Sequence, residues 1–109
     1  MSVEIVEDNS GEFAEHLPEA IMRGLEKIGL VAEGYAKRLC PVDTGRLRNS
    51  ITHAIDGDEM AAYIGTNVEY GPAVELGTSR SKAQPFLTPA ASDHGDEYRG
   101  ILESELGGQ

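Results

Sequence analysis

The chain has few basic residues, a single cysteine and no long apolar run. Nine lysines and arginines stand against nineteen acidic residues, which gives the 109-residue chain a formal net charge of −10. Duplex DNA binding draws its affinity from cations that neutralise phosphates, so this balance argues against a DNA-binding protein. An acidic surface of this kind would instead repel DNA.

The single cysteine and the lack of a long apolar run limit the disulfide chemistry and the cellular location that the sequence predicts. One cysteine, Cys40, excludes an intrachain disulfide framework, and we expect it to be a small buried apolar residue rather than a reactive thiol. No apolar run approaches the roughly 18 residues of a membrane span, and the N-terminus lacks the basic-then-apolar order of a signal peptide. We therefore expect a protein made in the cytoplasm that does not bind membranes.

Catalytic motifs are also missing. Neither of the glycine patterns that cradle phosphates, G-x-G-x-x-G and G-x-x-x-x-G-K, occurs. Asp43 beside Thr44 could pair an acid with a hydroxyl, but capping of a chain corner explains both residues. Glu75 could act as a general base, although a pairing with Arg46 or Arg48 is the favoured interpretation. We predict neither an enzyme nor a bound cofactor.

Two stretches could suggest a metal site. His53 stands in a predicted strand without a second ligand at a suitable spacing, so a hydrogen-bonded or edge histidine is favoured. Asp56, Asp58 and Glu59 form an acidic turn that could hold calcium, yet they do not match the EF-hand pattern. We interpret that turn as solvated and predict no metal site.

The length and composition predict one globular domain over residues 1–109. The hydrophobic fraction of 39% and the charged fraction of 26% are ordinary values for a folded domain. Residues 1–11 suggest a short strand or a flexible arm. A long helix is then predicted over 12–40, because apolar residues recur every three or four positions. This predicted core-facing stripe consists of Leu17, Ile21, Leu25, Ile28, Ala32, Tyr35 and Leu39.

Three glycines interrupt the predicted helix at Gly24, Gly29 and Gly34. Each costs about 1 kcal/mol relative to alanine when exposed. Either tertiary packing holds the helix in spite of them, which we favour, or some of them let a strand or a neighbouring subunit approach closely.

A corner follows the helix because Pro41 cannot continue it. Beyond the corner, residues 50–66 predict a β-hairpin and 70–76 a helical turn closed by Gly77. Residues 77–85 form a polar loop. A C-terminal helix is predicted over 88–106, with Thr88 as its N-cap and Pro89 in its first turn. This order of elements predicts an α+β fold, in which a long N-terminal helix and a C-terminal helix pack on one face of a small antiparallel sheet.

Three segments, in this order and spacing, resemble a known family. The first runs from Pro41 to Ile51, the second from Val68 to Thr78 and the third from Gln84 to Ala90. They are similar to the small tail-component or head–tail joining family of long-tailed phages and prophages, whose type member is the gene-ten product of phage HK-ninety-seven. The positions that carry the motif are Pro41, Val42, Asp43, Thr44, Gly45, Leu47, Ser50, Tyr70, Glu75, Gly77, Thr78, Pro85, Phe86 and Pro89.

The resemblance implies a non-enzymatic virion part at the neck or the proximal end of the tail, assembled in the host cytoplasm. It implies a ring-shaped homo-oligomer that contacts other neck and tail proteins. The alternative from a different class is a small bacterial hydrolase or regulatory domain, which a monomer with metal-dependent activity would favour.

The rare cations suggest a place for subunit contacts. Arg46, Arg48, Arg80 and Lys82 are positive positions on an acidic chain, and we expect them to meet carboxylates of a neighbouring subunit. Scattered, solvated charges are the equally weighted alternative, because surface ion pairs are usually worth less than about 1 kcal/mol.

Overall fold

The fold is a three-stranded antiparallel sheet with helices packed against it. The computed structural model describes residues 1–7, 18–42 and 45–107. Its elements in chain order are β1 (Ser2–Glu7), α1 (Pro18–Leu39), α2 (Arg46–Ser50), β2 (Thr52–Asp56), β3 (Ala61–Gly65), α3 (Gly71–Leu76), α4 (Leu87–Ser92) and α5 (Gly95–Gly107). The predicted α+β class, with helices packed on a small antiparallel sheet, is confirmed.

The sheet has the strand order β1-β3-β2, and both pairings are antiparallel. β2 and β3 form the hairpin expected within residues 50–66, with Thr52 opposite Gly65 and Asp56 opposite Ala61. The first segment, for which a strand and an arm were both open, is the edge strand β1. It pairs with β3 from Ser2 to Glu7, and its register shifts between Glu4 and Val6. The described strands therefore leave one edge of β1 and one edge of β2 unpaired.

The long helix supplies most of the core. α1 packs against β2, β3, α4 and α5. The predicted stripe is buried at Ile21, Leu25, Ile28 and Ala32, while Leu17 lies outside the described residues. The predicted core position Leu39 is wrong, because its side chain is 47% exposed. A step of four residues from Ala32 instead continues the buried stripe to Ala36 and Cys40.

Two of the three helix glycines are positions of close approach. An added Cβ at Gly29 would lie 2.7 Å from Cδ2 of His53 on β2, and one at Gly24 would lie 2.6 Å from Cδ1 of Leu102 on α5. At Gly34 the nearest atom would be 4.0 Å away. The favoured interpretation, that packing merely tolerates the glycines, is therefore wrong for Gly24 and Gly29. At both, the missing side chain admits another element of the same chain.

The C-terminal segment is two helices, where one had been expected over 88–106. α4 ends at Ser92 and α5 begins at Gly95. In the break, the imidazole of His94 stacks on the ring of Tyr35 with centroids 3.6 Å apart. The buried hydroxyl of Tyr98 donates to the carbonyl of Ala90 at 2.5 Å, which ties the two helices together. This bend lets α5 run back along α1. Glu105 on α5 there forms ion pairs with Arg23 and Lys27 of α1.

None of the helices in the described ranges combines the length and apolar character needed to cross a lipid bilayer.

Candidate functional site

The first motif segment forms the corner between α1 and the sheet. Gly45 adopts a left-handed conformation with φ of 82°, which glycine accepts without steric cost, and α2 begins at the next residue. Val42 is half exposed, at 51%. Asp43 and Thr44, which were expected to cap the corner, lie outside the described residues. The short helix α2 was not foreseen, because the extended pattern was assumed to begin at the corner.

A hydroxyl network fixes α2 against the end of β3. Leu47 is buried, and the Ser50 hydroxyl donates to its carbonyl at 2.6 Å. The same hydroxyl lies 2.5 Å from Oγ1 of Thr66, which also accepts the backbone N–H of Val68 at 3.0 Å. Gly71 packs against this threonine, since an added Cβ would lie 2.6 Å from its methyl group. The motif serine therefore links α2 to the residue that follows β3.

Arg46 is already bound within its own chain. Its guanidinium donates to both carboxylate oxygens of Glu69, at 3.0 and 2.9 Å, and lies 5.5 Å from the ring centroid of Tyr70. Hydrogen bonding to Glu69 raises the pKa of Arg46 and lowers the pKa of the glutamate. The predicted pairing of Glu75 with Arg46 or Arg48 is wrong, because Glu69 takes that place and Glu75 has different partners.

Glu75 caps the N-terminus of α4 from the end of α3. Its side chain is only 2% exposed. One oxygen accepts the backbone N–H groups of Phe86 at 3.0 Å and Leu87 at 2.7 Å, and the other accepts that of Thr88 at 3.0 Å. Burial alone would raise the pKa of Glu75, but these backbone hydrogen bonds lower it below its ordinary value. The carboxylate is thus held ionised by backbone donors, and all of its described partners are structural.

This arrangement replaces the predicted N-cap. Thr88 was expected to cap the C-terminal helix, but α4 begins at Leu87 and Thr88 lies within its first turn. Since Glu75 accepts the free N–H groups there, a capping hydroxyl is not needed. Phe86 is fully buried and Pro89 remains in the first turn, where its missing N–H does no harm.

Between these anchors, residues 77–84 form what we call the cationic loop. Gly77 has φ of 81°, and a Cβ there would lie 2.8 Å from the backbone nitrogen of Ala83. The N–H of Gln84 donates to the carbonyl of Val74 at 2.8 Å, which closes the loop at its base. The hydroxyl of Thr78 accepts the N–H groups of Arg80 and Ser81. The loop is therefore held by its own backbone.

Three of the four expected interface cations have no ion-pair partner among the described residues. Arg48, Arg80 and Lys82 are exposed, whereas Arg46 pairs with Glu69. Four other cations are also engaged, because Arg23 and Lys27 bind Glu105, Lys37 binds Glu33 and Arg99 binds Glu103. The structure brings Arg80 and Lys82 together on the cationic loop and places Arg48 separately, on α2.

His53 is bound between two carboxylates of α1. Its Nε2 lies 2.5 Å from Glu26 and its Nδ1 lies 2.8 Å from Glu33. Burial alone would lower the pKa of His53, but the two hydrogen bonds and the two charges raise it above its ordinary value. The imidazole therefore fastens the edge strand β2 onto α1 over Gly29. Sequence spacing missed these partners because they lie on another element.

The remaining candidates for chemistry are engaged in ordinary packing or turn contacts. Within the described ranges, no group of three or more histidine, cysteine, aspartate or glutamate side chains could hold a metal ion. The Asp56 carboxylate accepts the N–H groups of Asp58 and Glu59, as in a tight polar turn. Cys40 is buried, and burial raises the pKa of its thiol, which opposes formation of a nucleophilic thiolate.

The comparison with protein families gave a match that includes the first motif segment and the second up to Gly77. The profile described as "Bacteriophage HK97-gp10, putative tail-component" matches residues 6–77. The chain belongs to the HK97-gp10 family. The match spans the corner, α2, the hairpin and α3 up to Gly77, so the resemblance expected from the sequence is confirmed. Comparisons with curated proteins and with solved structures gave no significant match.

Membership of the HK97-gp10 family supports a role in phage virion morphogenesis as a tail component. The motif residues Ser50 and Glu75 hold backbone segments of the chain in place. In this family member the cationic loop beyond Gly77, and the Pro85–Phe86–Pro89 anchor that follows it, lie outside the matched range.

Proposed function

We propose that this chain is a head–tail joining or tail-completion component that assembles into a ring and has no reaction of its own. The ring belongs to the virion neck or the proximal end of the tail, and its subunits are made in the host cytoplasm. Its partners are further copies of the chain and neighbouring neck and tail proteins. Family membership supports the tail role at a coarse level.

The observation that carries the assembly role is the open sheet. Within the described ranges, helices pack against the sheet while Thr52, Ala54 and Asp56 on β2 stay exposed, and β1 and β2 each have an unpaired edge. β1 contains the register shift near Glu4, a feature that discourages uncontrolled pairing. The pairing of β2 with β3 has no such shift, so the exposed side and the free edge of β2 offer surfaces for other subunits.

The charge distribution supports the same proposal. The exposed cations Arg48, Arg80 and Lys82 meet carboxylates of a neighbouring subunit, while Arg46 stays with Glu69. The acidic remainder of the surface faces the DNA channel and lets the genome pass without adhering to the ring. Measurable duplex binding at moderate salt would contradict this last point.

Two measurements test the proposed function. The mass of the purified protein in solution should be a multiple of the 11.7 kDa chain. Particles made without the protein should contain heads and tails that fail to join, as seen by electron microscopy. A monomer in solution, together with normal particles in its absence, would refute the proposal. Genes for portal, capsid and tail-tube proteins beside this one would further support it.

A further inference from the structure

A shallow apolar groove lies between the end of α3 and α4. Its volume is about 370 Å³, and its apolar lining comes from Leu76, Pro85 and Pro89. Leu76 is 70% exposed, the largest exposure of any large hydrophobic side chain in the described ranges. Ser92 and Asp93 border the groove at the α4 side. An exposed leucine beside two prolines is a surface that gains free energy when a partner covers it.

The cationic loop starts and ends at this groove. Leu76 precedes Gly77, and Pro85 follows Gln84, so the groove and the loop share their base. Because the Gly77–Ala83 contact and the Gln84–Val74 hydrogen bond hold the loop closed, Arg80 and Lys82 are carried on a backbone that is already ordered. A partner therefore meets these two cations at a low cost in conformational entropy.

We propose that this groove and the cationic loop receive the β2–β3 turn of a second copy of the chain. The inference rests on the proposed self-assembly and names the two surfaces that meet. A partner for an apolar groove beside two unpaired cations should be acidic, and the chain itself carries a net charge of −10.

The β2–β3 turn, residues 57–60 with the flanking Asp56, has the required chemistry. Asp56, Asp58 and Glu59 are all exposed and include no intervening cation. The Asp56 carboxylate accepts two backbone N–H groups of the turn, which is therefore preformed. An added Cβ at Gly57 would lie 3.6 Å from Cε of Met22, so the turn lies beside α1.

The positions of the two surfaces suit a ring. Gly57 of the turn lies beside Met22 near the start of α1, whereas His94, next to the groove residue Asp93, stacks on Tyr35 near the end of α1. The turn and the groove therefore lie toward opposite ends of that helix. A contact that joins two different surfaces can repeat around an axis until it closes. DNA could also satisfy the two cations, but the floor of the groove is apolar and offers no side-chain hydrogen-bond donors to phosphates. We therefore favour a protein occupant.

The test measures association of the full chain by light scattering and sedimentation. Leu76→Glu, and separately the double change Arg80→Glu with Lys82→Glu, should weaken association about tenfold or more. Adding Asp58→Lys and Glu59→Lys to the double variant should restore association, because the charges are then exchanged across the contact. Higher salt should weaken the wild-type contact.

Control variants change exposed positions on other elements. Leu30→Glu changes a leucine that is 60% exposed on α1, and Arg38→Glu with Arg99→Glu makes the same change in net charge at two exposed positions. Both controls should associate like the wild type. Leu76→Ser provides a milder groove variant, and circular dichroism shows that each variant is folded.

The outcomes separate this inference from the proposed function. A wild-type chain that stays monomeric overturns self-assembly, and the docking contact with it. An oligomer that the Leu76, Arg80 and Lys82 variants leave intact overturns the docking contact alone. Weakened association without rescue by the exchanged charges overturns the turn as occupant. Duplex binding that disappears with Arg80→Glu and Lys82→Glu would assign the loop to DNA and overturn the proposal.

Discussion

Two carboxylate contacts hold this fold together, and they differ in what they bind. Glu75 lies at the end of α3 and accepts three backbone N–H groups at the start of α4. Glu26 and Glu33 on α1 instead bind the side chain of His53 on β2. The first contact rests mainly on backbone donors, with a further side-chain hydrogen bond from Thr88, whereas the second needs a protonated imidazole. The two contacts should therefore respond to pH in opposite ways.

Removing the Glu75 carboxylate should have the largest effect. Glu75→Ala leaves three N–H groups without their acceptor at a site that is 2% exposed, so we expect a loss of about 3 kcal/mol in the free energy of unfolding. Glu75→Gln keeps one acceptor oxygen and should lose less. Urea denaturation measures both. A loss below about 1 kcal/mol for the alanine variant would show that water replaces the carboxylate.

Gly29→Ala tests the second contact with a smaller effect. The new Cβ would lie 2.7 Å from Cδ2 of His53 and must displace the ring. The alanine favours the helix, but the cost of displacing the ring is larger, so we expect a net loss of about 1 kcal/mol in the free energy of unfolding. Gly34→Ala is the matched control on the same helix, because its Cβ would meet no atom closer than 4.0 Å. That control should stabilise the protein, and a gain in both variants would contradict the close approach at Gly29.

The pH dependence sharpens the comparison. The pKa of Glu75 is lowered from 4.5, so its contribution is present above pH 4.5 and is lost as the pH falls through the folded value. The pKa of His53 is raised from 6.5, so its contribution is complete below pH 6.5 and is lost as the pH rises through the folded value. The urea midpoint should fall less steeply on the acid side in Glu75→Gln, while the other carboxylates with lowered pKa, Glu33, Glu69 and Glu105, keep part of that slope. The alkaline-side slope should be lost in His53→Gln.

The exposed pair of Arg46 and Glu69 should have the smallest effect. Their side chains are 57% and 72% exposed, so water and salt already screen the attraction. Arg46→Ala should leave the urea midpoint almost unchanged, although its guanidinium makes two hydrogen bonds to the glutamate. A large shift would mean that the contact with Tyr70 orders the start of α3, and Tyr70→Leu would then reproduce it.

Local sequence patterns were enough to predict much of the fold. The apolar spacing of α1, the proline that ends it and the turn at Gly57 each depend on neighbouring residues. The pairing of β1 with β3 depends on residues some sixty positions apart, such as Ser2 and Gly65, and no local pattern specifies it. The break between α4 and α5 depends on the stacking of His94 on Tyr35, which is equally remote in sequence.

The candidate site was harder to predict than the fold. The motif positions identified Glu75 and Ser50, yet their partners were wrong or unassigned, because both bind backbone or hydroxyl groups of other elements. For Glu75 one sequence signal was present. The N-cap position of α4 is Phe86, which has no hydroxyl to accept the free N–H groups, and a carboxylate stands eleven residues before it. The groove beside Leu76 had no signal, since exposure of one leucine depends on how two helices meet.

The chain has no tryptophan, but the ultraviolet absorbance of the buried Tyr98 can report whether the protein is folded. Burial raises the pKa of Tyr98 to about 12, whereas an unfolded tyrosine ionises near pH 10. At a pH between these values, the part of the phenolate absorbance that comes from Tyr98, one of four tyrosines, should therefore appear only as the break between α4 and α5 opens. Assembly variants can thus be compared for integrity without any attached dye.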